Sequence, residues 1–529
     1  MPDVTWWQKA VIYQIYPRSF QDGNGDGIGD LPGIKERLPY LADLGVDAIW
    51  LSPIFPSPME DFGYDIADYC AIDPLFGTMA NFDELLGQAR RLGLRLLMDL
   101  VPNHTSSRHP WFIESRSSRS SAKRDWYIWR DPAPGGGPPN NWLSEFGGSA
   151  WSFDEATGQY YYHAFLPSQP DLHWRNPDVR RAMHDVMRFW LAKGVDGFRI
   201  DVLWHLIKDD QFRDNPPNPD YRDGQPPHWQ VLPLYTTDRP EVHEVVAGFR
   251  RVADEFLDRL LIGEIYLPPK RLVAYYGKDR EGVHLPFNFS LLETDWHARK
   301  LAALIDEYEE VLPSGSWPNW VLGNHDRPRI ATRVGAAQAR LAAMLLLTLR
   351  GTPTIYYGDE IGLSNIDVPP QHVCDPLGKA APTLGRDGAR GPMRWNDGAY
   401  GGFSPARPWC YCPEPADGPT VGEQSSEPGS LLNLYKRLIT ARREHPALAL
   451  GTYHPLVATG DVLLFSRKYP ESPSVLVALN LGDQPAAAVL KEKTLRGRVI
   501  VSAFGDREEE PIADGVHLRP DEGLVIALD

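Results

Sequence analysis

Eight short apolar runs, each followed by a helix-forming stretch, constrain the fold of this 529-residue chain more than any other feature. They read VIYQIYP (11–17), AIWLSP (48–53), RLLMDLV (95–101), FRIDV (198–202), LLIGEIY (260–266), HLPFNFSLL (284–292), WVLGNHD (320–326) and PTIYYGDE (353–360). Helical patterns fall between them over 34–44, 81–92, 177–192, 241–260 and 336–349. Strands that are apolar on both faces must be covered on both, and strands alternating with helices pair in parallel. Eight such units predict an α/β fold, a closed parallel (β/α)8 TIM barrel.

Two stretches break the alternation. Residues 104–171 are rich in Trp, Tyr, Ser, Gly and Pro and contain DPAPGGGPPN, which predicts a subdomain inserted after the third strand. Beyond the closing helix 431–443, the runs DVLLFSRKY, SVLVALNL, AAAVLK, RVIVSAF and GLVIALD predict a C-terminal antiparallel β-sandwich. The expected domains are 1–103 with 172–450 for the barrel, 104–171 for the insertion and 451–529 for the β domain.

A net charge of -16 argues against a nucleic-acid partner. No run reaches the ~18 apolar residues that span a bilayer. The opening MPDVTWWQKAVIYQIYP has no basic region before an apolar core, so no signal peptide is expected. Cys70, Cys374, Cys410 and Cys412 lack zinc-site spacing and are read as free thiols in a reducing compartment. The expectation is a cytoplasmic monomer or homodimer acting on a small molecule.

Barrel sites form at the C-terminal ends of the strands. In FRIDV, alternation puts Ile200 and Val202 on one face and Arg199 and Asp201 on the other. An arginine beside a carboxylate keeps it ionised and nucleophilic, and a purely structural ion pair would share that arrangement. The other strand ends supply Asp99, Asn103, His104, Glu264, Asn324, His325 and Asp326. The carboxylates Asp201, Glu264 and Asp326 at one mouth suit glycoside hydrolysis, with one nucleophile and one proton donor. Spacing alone leaves a metal-dependent hydrolase open, although no HExxH grouping occurs.

The loop QDGNGDGIGD follows the first nine positions of a calcium loop, but Gly33 stands where the bidentate Glu of an EF-hand belongs. Asp22, Asn24, Asp26, the Ile28 carbonyl and Asp30 are nonetheless candidate ligands for Ca²⁺ or Mg²⁺, against the alternative of a plain turn.

The motifs DLVPNH (99–104), GFRIDV (197–202), GEIY (263–266) and GNHD (323–326) resemble the four signature regions of the α-amylase superfamily, glycoside hydrolase family 13. QPDLHW (169–174) and the opening WWQKAVIYQIYPRSFQDGNGDGIGDLPGI are similar to its α-glucosidase and oligo-1,6-glucosidase branch. The resemblance implies a retaining double displacement, with Asp201 as nucleophile, Glu264 as acid/base and Asp326 gripping the distorted sugar. It places Arg199, His104 and His325 at the nonreducing-end subsite, and Asp61 and Tyr64 at the terminal hydroxyl and beneath that sugar. Arg390 matches the arginine that pairs with Asp61, a pairing that implies exo action. Phe146 and Phe165 would line the acceptor side or serve as core. The resemblance also implies a structural divalent ion at the loop 22–30.

Three positions bear on finer detail. GPMRW (391–395) stands where TPMQW is usual in the branch, and His173 stands where Asn is usual. Val202 resembles members that accept α-1,6 bonds. The expected activity is an exo-acting α-glucosidase on short α-glucosides, with transglucosylation. Trehalose- or sucrose-converting relatives are the alternative, and a noncatalytic transporter-ancillary homologue a more distant one.

Overall fold

A computed structural model describes residues 4–414, 418–456, 460–488, 496–513 and 515–529. All eight predicted runs form strands: β1 (Ile12–Ile15), β2 (Ala48–Leu51), β3 (Arg95–Leu100), β4 (Gly197–Ile200), β5 (Leu260–Ile265), β6 (Leu285–Asn288), β7 (Asn319–Val321) and β8 (Thr352–Tyr356). They pair in parallel in chain order, and β1 pairs with β8 to close the barrel. Gly197 allows a tight β4–β5 approach, since a Cβ there would lie 2.0 Å from the Leu260 carbonyl oxygen.

Period-2 alternation sorts the side chains into two clusters. Ile12, Trp50, Leu97, Ile262 and Phe287 fill the barrel interior. Tyr13, Ile49, Leu96, Met98, Phe198 and Leu261 face outward into the core shared with the helices. That outer core contains the apolar faces of helices Leu31–Leu44, Met79–Arg91, Pro177–Lys193, Val242–Asp254 and Ala298–Val311. Helix Ile330–Thr348 is long and apolar enough to cross a membrane by length and composition, but it buries Leu341 to Leu347 in this core.

After β3 the chain leaves the barrel and returns through an antiparallel bridge between His104 and Asp171. The excursion carries a three-stranded sheet, Trp129–Arg130, Gln159–Tyr162 and Trp151–Asp154, over its own core of Trp142, Trp151 and Tyr162. The loop after β4 is tied to it, with Trp142 Nε1 donating to the Arg213 carbonyl at 2.8 Å.

The C-terminal region forms a six-stranded antiparallel sheet in the order Thr452–Pro455, Val462–Lys468, Val475–Asn480, Gly523–Leu528, Arg496–Ser502, Pro511–Ala513. Leu463, Phe465 and Val477 pack toward the barrel helices. Leu464, Leu476 and Ile526 pack on the other face, under the pair Ala486–Ala488 and Val516–Leu518. Three of these strands lie outside the predicted runs: Pro511–Ala513 and Val516–Leu518 have three residues each, and Thr452–Pro455 has no apolar run. The predicted run AAAVLK extends into residues 489–491, outside the described residues. All four cysteines are free thiols.

Candidate active site

The inward register that packs the barrel interior turns polar at the C-terminal end. Gln14 follows Ile12, Asp99 follows Leu97 and Glu264 follows Ile262, two residues on in each strand. Arg199 takes the same side, between the outward Phe198 and Ile200. Asp201 lies one residue beyond β4, in the turn that ends it.

Arg199 is the hub. Its Nη1 lies 2.8 Å from Asp99 Oδ1 and 2.7 Å from Asp201 Oδ1, and its Nη2 lies 2.8 Å from Glu264 Oε2. The Nη2 contact is ionic only, because its N–H is not aligned for a hydrogen bond. One guanidinium cannot offset three buried carboxylates. Burial, with the neighbouring carboxylates, pushes Asp201 and Glu264 up and Asp99 up to about 7, against the pull of Arg199. The cluster therefore holds protons that isolated carboxyls would release, and Asp201 and Glu264 are brought together on the one Arg199 guanidinium. Val202 completes the contact: its N–H donates to Glu264 Oε2 at 2.8 Å from a left-handed backbone, φ 37 and ψ 46. That conformation strains a β-branched residue.

Asp326 has a different environment. Arg390 Nη2 lies 2.8 Å and Arg386 Nη1 3.3 Å from its Oδ1. Burial alone would raise its proton affinity, yet the charges around it hold Asp326 below the usual carboxylate range. Burial lowers His325 to about 3, so the imidazole is neutral at ordinary pH and the two arginines carry this effect. His325 stacks between Tyr16 and Tyr64, with centroids at 5.6 Å and 5.3 Å. Gln14 Nε2 stands 2.8 Å from its Nδ1, and Tyr64 Oη, which donates to Asp99, stands 2.7 Å from its Nε2. This chain assigns the proton to Nε2, facing Tyr64 and Asp326.

The expected partner of Asp61 is corrected. Arg386, not Arg390, meets it, with Nη2 2.7 Å from Asp61 Oδ1. Arg390 binds Asp326 and the His325 carbonyl instead. The two arginines bracket one 3₁₀ turn, Asp387–Arg390, so both reach the same region. Arg386 is also anchored by Asp375 at 2.6 Å. Gln169 donates to Asp61 Oδ2 at 3.1 Å and lies 3.2 Å from His104 Nε2. His104 is kept neutral by burial.

These groups surround a cavity of about 610 Å³. Asp61, Tyr64, His104, Phe146, Phe165, Asp201, Glu264 and Asp326 line it directly, while Arg199, His325 and Arg390 stand behind the wall. The outer half is aromatic: Phe165 packs on His104 and Phe146, and Trp204 and Tyr266 pack on each other. Glu145 of the excursion and His228 of the loop after β4 approach to 3.4 Å across this half. Arg386, Asp375, Trp204, Trp229 and His228 are site residues that sequence reasoning missed. Only Arg386 had a signal, its spacing of four from Arg390. His173 faces the Asp125 carbonyl, away from the cavity.

The loop of Asp22, Asn24, Asp26, Ile28 and Asp30 lies outside this cavity. Asp22 accepts the amides of Asn24, Gly25 and Gly27, Asp26 accepts that of Ile28, and Asp30 caps helix Leu31–Leu44. No three His, Cys, Asp or Glu side chains gather at metal-binding distance among the described residues. The donor chemistry nonetheless fits a hard divalent cation: all the candidate donors are oxygens, and burial, with the charges of Asp22 and Asp26, raises Asp30.

Residues 14–451 match the family described as "Alpha amylase, catalytic domain". The chain is 44% identical over 527 residues to a "Probable alpha-glucosidase" of Rhizobium meliloti (strain 1021), covering 96% of this chain and 95% of the relative. It is 38% identical over 564 residues to an "Oligo-1,6-glucosidase" of Halalkalibacterium halodurans, covering 98% of each. Among solved structures, an alpha-glucosyl transfer enzyme, XgtA, superposes with TM-score 0.94 at 39% identity over 100% of both chains. The trehalulose synthase MutB of Pseudomonas mesoacidophila MX-45 does so with TM-score 0.91 at 33% identity, again over 100% of both.

Proposed function

Because the chain belongs to the alpha-amylase catalytic-domain family, we propose that it is an exo-acting retaining α-glucosidase that releases glucose from the nonreducing end of short α-glucosides. The observation that carries this reading is the placement of Asp201, Glu264 and Asp326 around one cavity, with Arg199 touching both Asp201 and Glu264. Asp201 attacks the anomeric carbon as the glycosidic C–O bond breaks, and the Glu264 proton passes to the leaving oxygen. Water then gives a proton to Glu264, bonds to the anomeric carbon and displaces Asp201. Asp201 and Glu264 contact the two terminal nitrogens of one guanidinium, at 2.7 Å and 2.8 Å, which supports the short carboxyl separation that retention uses, ~5–5.5 Å, over the wider one of inversion. Asp326, held ionised by Arg390 and Arg386, suits hydroxyl binding and stabilisation of positive charge at the ring.

Exo action rests on Asp61, Arg386 and Gln169, whose contacts close one end of the cavity. Loop 22–30 is proposed to hold a structural Ca²⁺ or Mg²⁺ through Asp22, Asn24, Asp26, the Ile28 carbonyl and Asp30. A cytoplasmic location is proposed on the four unpaired thiols.

A second reading, glucosyl transfer or isomerisation, is favoured by the aromatic acceptor half, which can seat a second sugar in place of water. Product analysis on maltose, isomaltose, trehalose and sucrose separates the two. Glucose as the main product supports hydrolysis, and a new disaccharide as the main product supports transfer. No turnover of any α-glucoside would overturn both.

A further inference from the structure

Among the polar side chains that line the substrate cavity, only His205 carries a buried atom with no hydrogen-bond partner among the described residues. That atom is Nδ1, in a residue 4% exposed. Nε2 has no partner among the described residues either, but it is not buried, so the ring meets the cavity along its Nε2 edge. Burial, reinforced by Lys208 and His104, keeps the ring neutral. One nitrogen then carries a proton and the other a lone pair. Buried N–H groups without acceptors are rarer than buried acceptors without donors, which assigns the proton to Nε2. His205 therefore turns toward the cavity a donor that no described residue accepts.

The donor is fixed in place from several sides. His205 ends the 3₁₀ turn Leu203–His205, and its backbone N–H donates to the Val202 carbonyl at 2.9 Å. Leu203 of the same turn seats so closely on β5 that a Cβ on Gly263 would lie 2.7 Å from its Cδ2. The imidazole stands edge-on to Trp204 at 4.7 Å and tilted against Phe165 at 5.5 Å. Phe165 in turn lies 5.2 Å from His104, so His205 stands where the catalytic end of the cavity passes into its aromatic outer half. A phenylalanine would serve this packing with no nitrogen left unpaired, so packing alone does not account for the imidazole.

On the α-glucosidase reading above, we propose that His205 Nε2 donates to a hydroxyl oxygen of the sugar on the acceptor side, and so selects a sugar over an aglycone without hydroxyls. A donor held in a dry wall stays unsatisfied when the aglycone offers it no acceptor, and that penalty separates the two classes. The faces of Trp204 and Phe165, which hold the imidazole, suit the apolar face of the same sugar ring. The selection acts on the leaving sugar in hydrolysis and on the incoming sugar in transfer, because both occupy this half of the cavity.

Steady-state kinetics of the full chain on maltose and on phenyl α-glucoside, whose aglycone has no hydroxyl, test this with wild type, His205→Phe and His205→Gln. Phenylalanine keeps an aromatic ring and removes the donor, whereas glutamine returns an amide donor at similar reach. His205→Phe is expected to lower the ratio of kcat/KM for maltose to that for phenyl α-glucoside by about fivefold or more. His205→Gln should bring that ratio back to within about twofold of wild type. An unchanged ratio in His205→Phe, or one in His205→Gln as low as in His205→Phe, would overturn the role of His205. Cleavage of phenyl α-glucoside by wild type with no turnover of maltose would overturn it as well. Failure of wild type on both substrates would instead overturn the α-glucosidase reading, and the role of His205 with it.

Discussion

Nη2 of Arg386 lies 2.7 Å from Asp61 Oδ1, and the same nitrogen lies 2.6 Å from Asp375 Oδ1. Asp375 itself accepts the amide N–H groups of Leu377, Gly378 and Arg386. The guanidinium is thus clamped from behind by a carboxylate that never reaches the cavity, and Asp61 is presented at a defined angle. Charge-assisted bonds of this kind are short and directional, so they set where a sugar hydroxyl can bind.

Arg386→Ala should lower kcat/KM by ~10²-fold or more, because removing one partner of a buried pair leaves the other charge uncompensated. Arg390→Ala leaves the Asp61 pair intact but strips Asp326 of its closest cation, so the acid limb of the kcat/KM profile should move to higher pH. Maltooligosaccharides blocked at the nonreducing 4-hydroxyl should resist wild type. If Arg390→Ala and Arg386→Ala gave the same pH profile, or the blocked chains were cut internally, this account of the pocket end would fail.

Asp201→Asn should reduce kcat by several orders of magnitude, since an amide cannot form the glycosyl-enzyme. It should also raise the melting temperature, because one of three buried carboxylates around Arg199 is removed. Differential scanning calorimetry beside steady-state kinetics checks both, and activity within tenfold of wild type excludes the nucleophile assignment.

Stability should depend on pH through Asp359, which is 3% exposed. Burial, opposed by Arg329 and reinforced by Glu360, raises it from 3.8 to about 7. The folded state therefore binds the proton more tightly than the unfolded state. This contribution is complete below pH ~4 and is lost as pH rises through about 7, at most about 4 kcal/mol. Asp359→Asn should flatten that loss in melting curves taken across this range. A variant with the wild-type slope would contradict the assignment.

Val202→Gly relieves the left-handed strain at φ 37 but gives up a buried side chain and adds unfolded-state entropy, so it should lower stability by less than the ~1.5–3 kcal/mol that burying a valine contributes. It should also loosen the N–H that holds Glu264 Oε2, which favours the ionised form, so the basic limb of the pH–rate profile should move up. A loss as large as the full burial contribution, with no offset, would show that Val202 is not strained.

Chelation should lower the melting temperature more than it lowers kcat at moderate temperature, since loop 22–30 lies outside the substrate cavity. Immediate loss of activity at constant melting temperature would point to a catalytic ion instead.

The barrel and the carboxylates at its mouth were legible in the sequence because they obey a local rule. Leu97 and Asp99, and Ile262 and Glu264, sit two residues apart on one strand, so whichever face packs the interior also delivers the carboxylate to the mouth. The same rule set Arg199 apart from Phe198 and Ile200. Loop pairings obey no such rule. Asp61 and Arg386 are 325 residues apart, on loops that follow β2 and β8, and meet only because barrel closure makes those strands neighbours of β1. Arg386 and Arg390 carry the same chemistry four residues apart, so the placement of the turn between them decided which meets Asp61 and which meets Asp326. The ionisation of each group was decided in the same way. Asp201 is buried and Asp326 half-buried in the same cavity wall, and they are driven in opposite directions because one shares a single arginine with two other carboxylates while the other faces two arginines. Sequence names the charges, but their proton affinities follow from distances across the barrel, which only the closed fold sets.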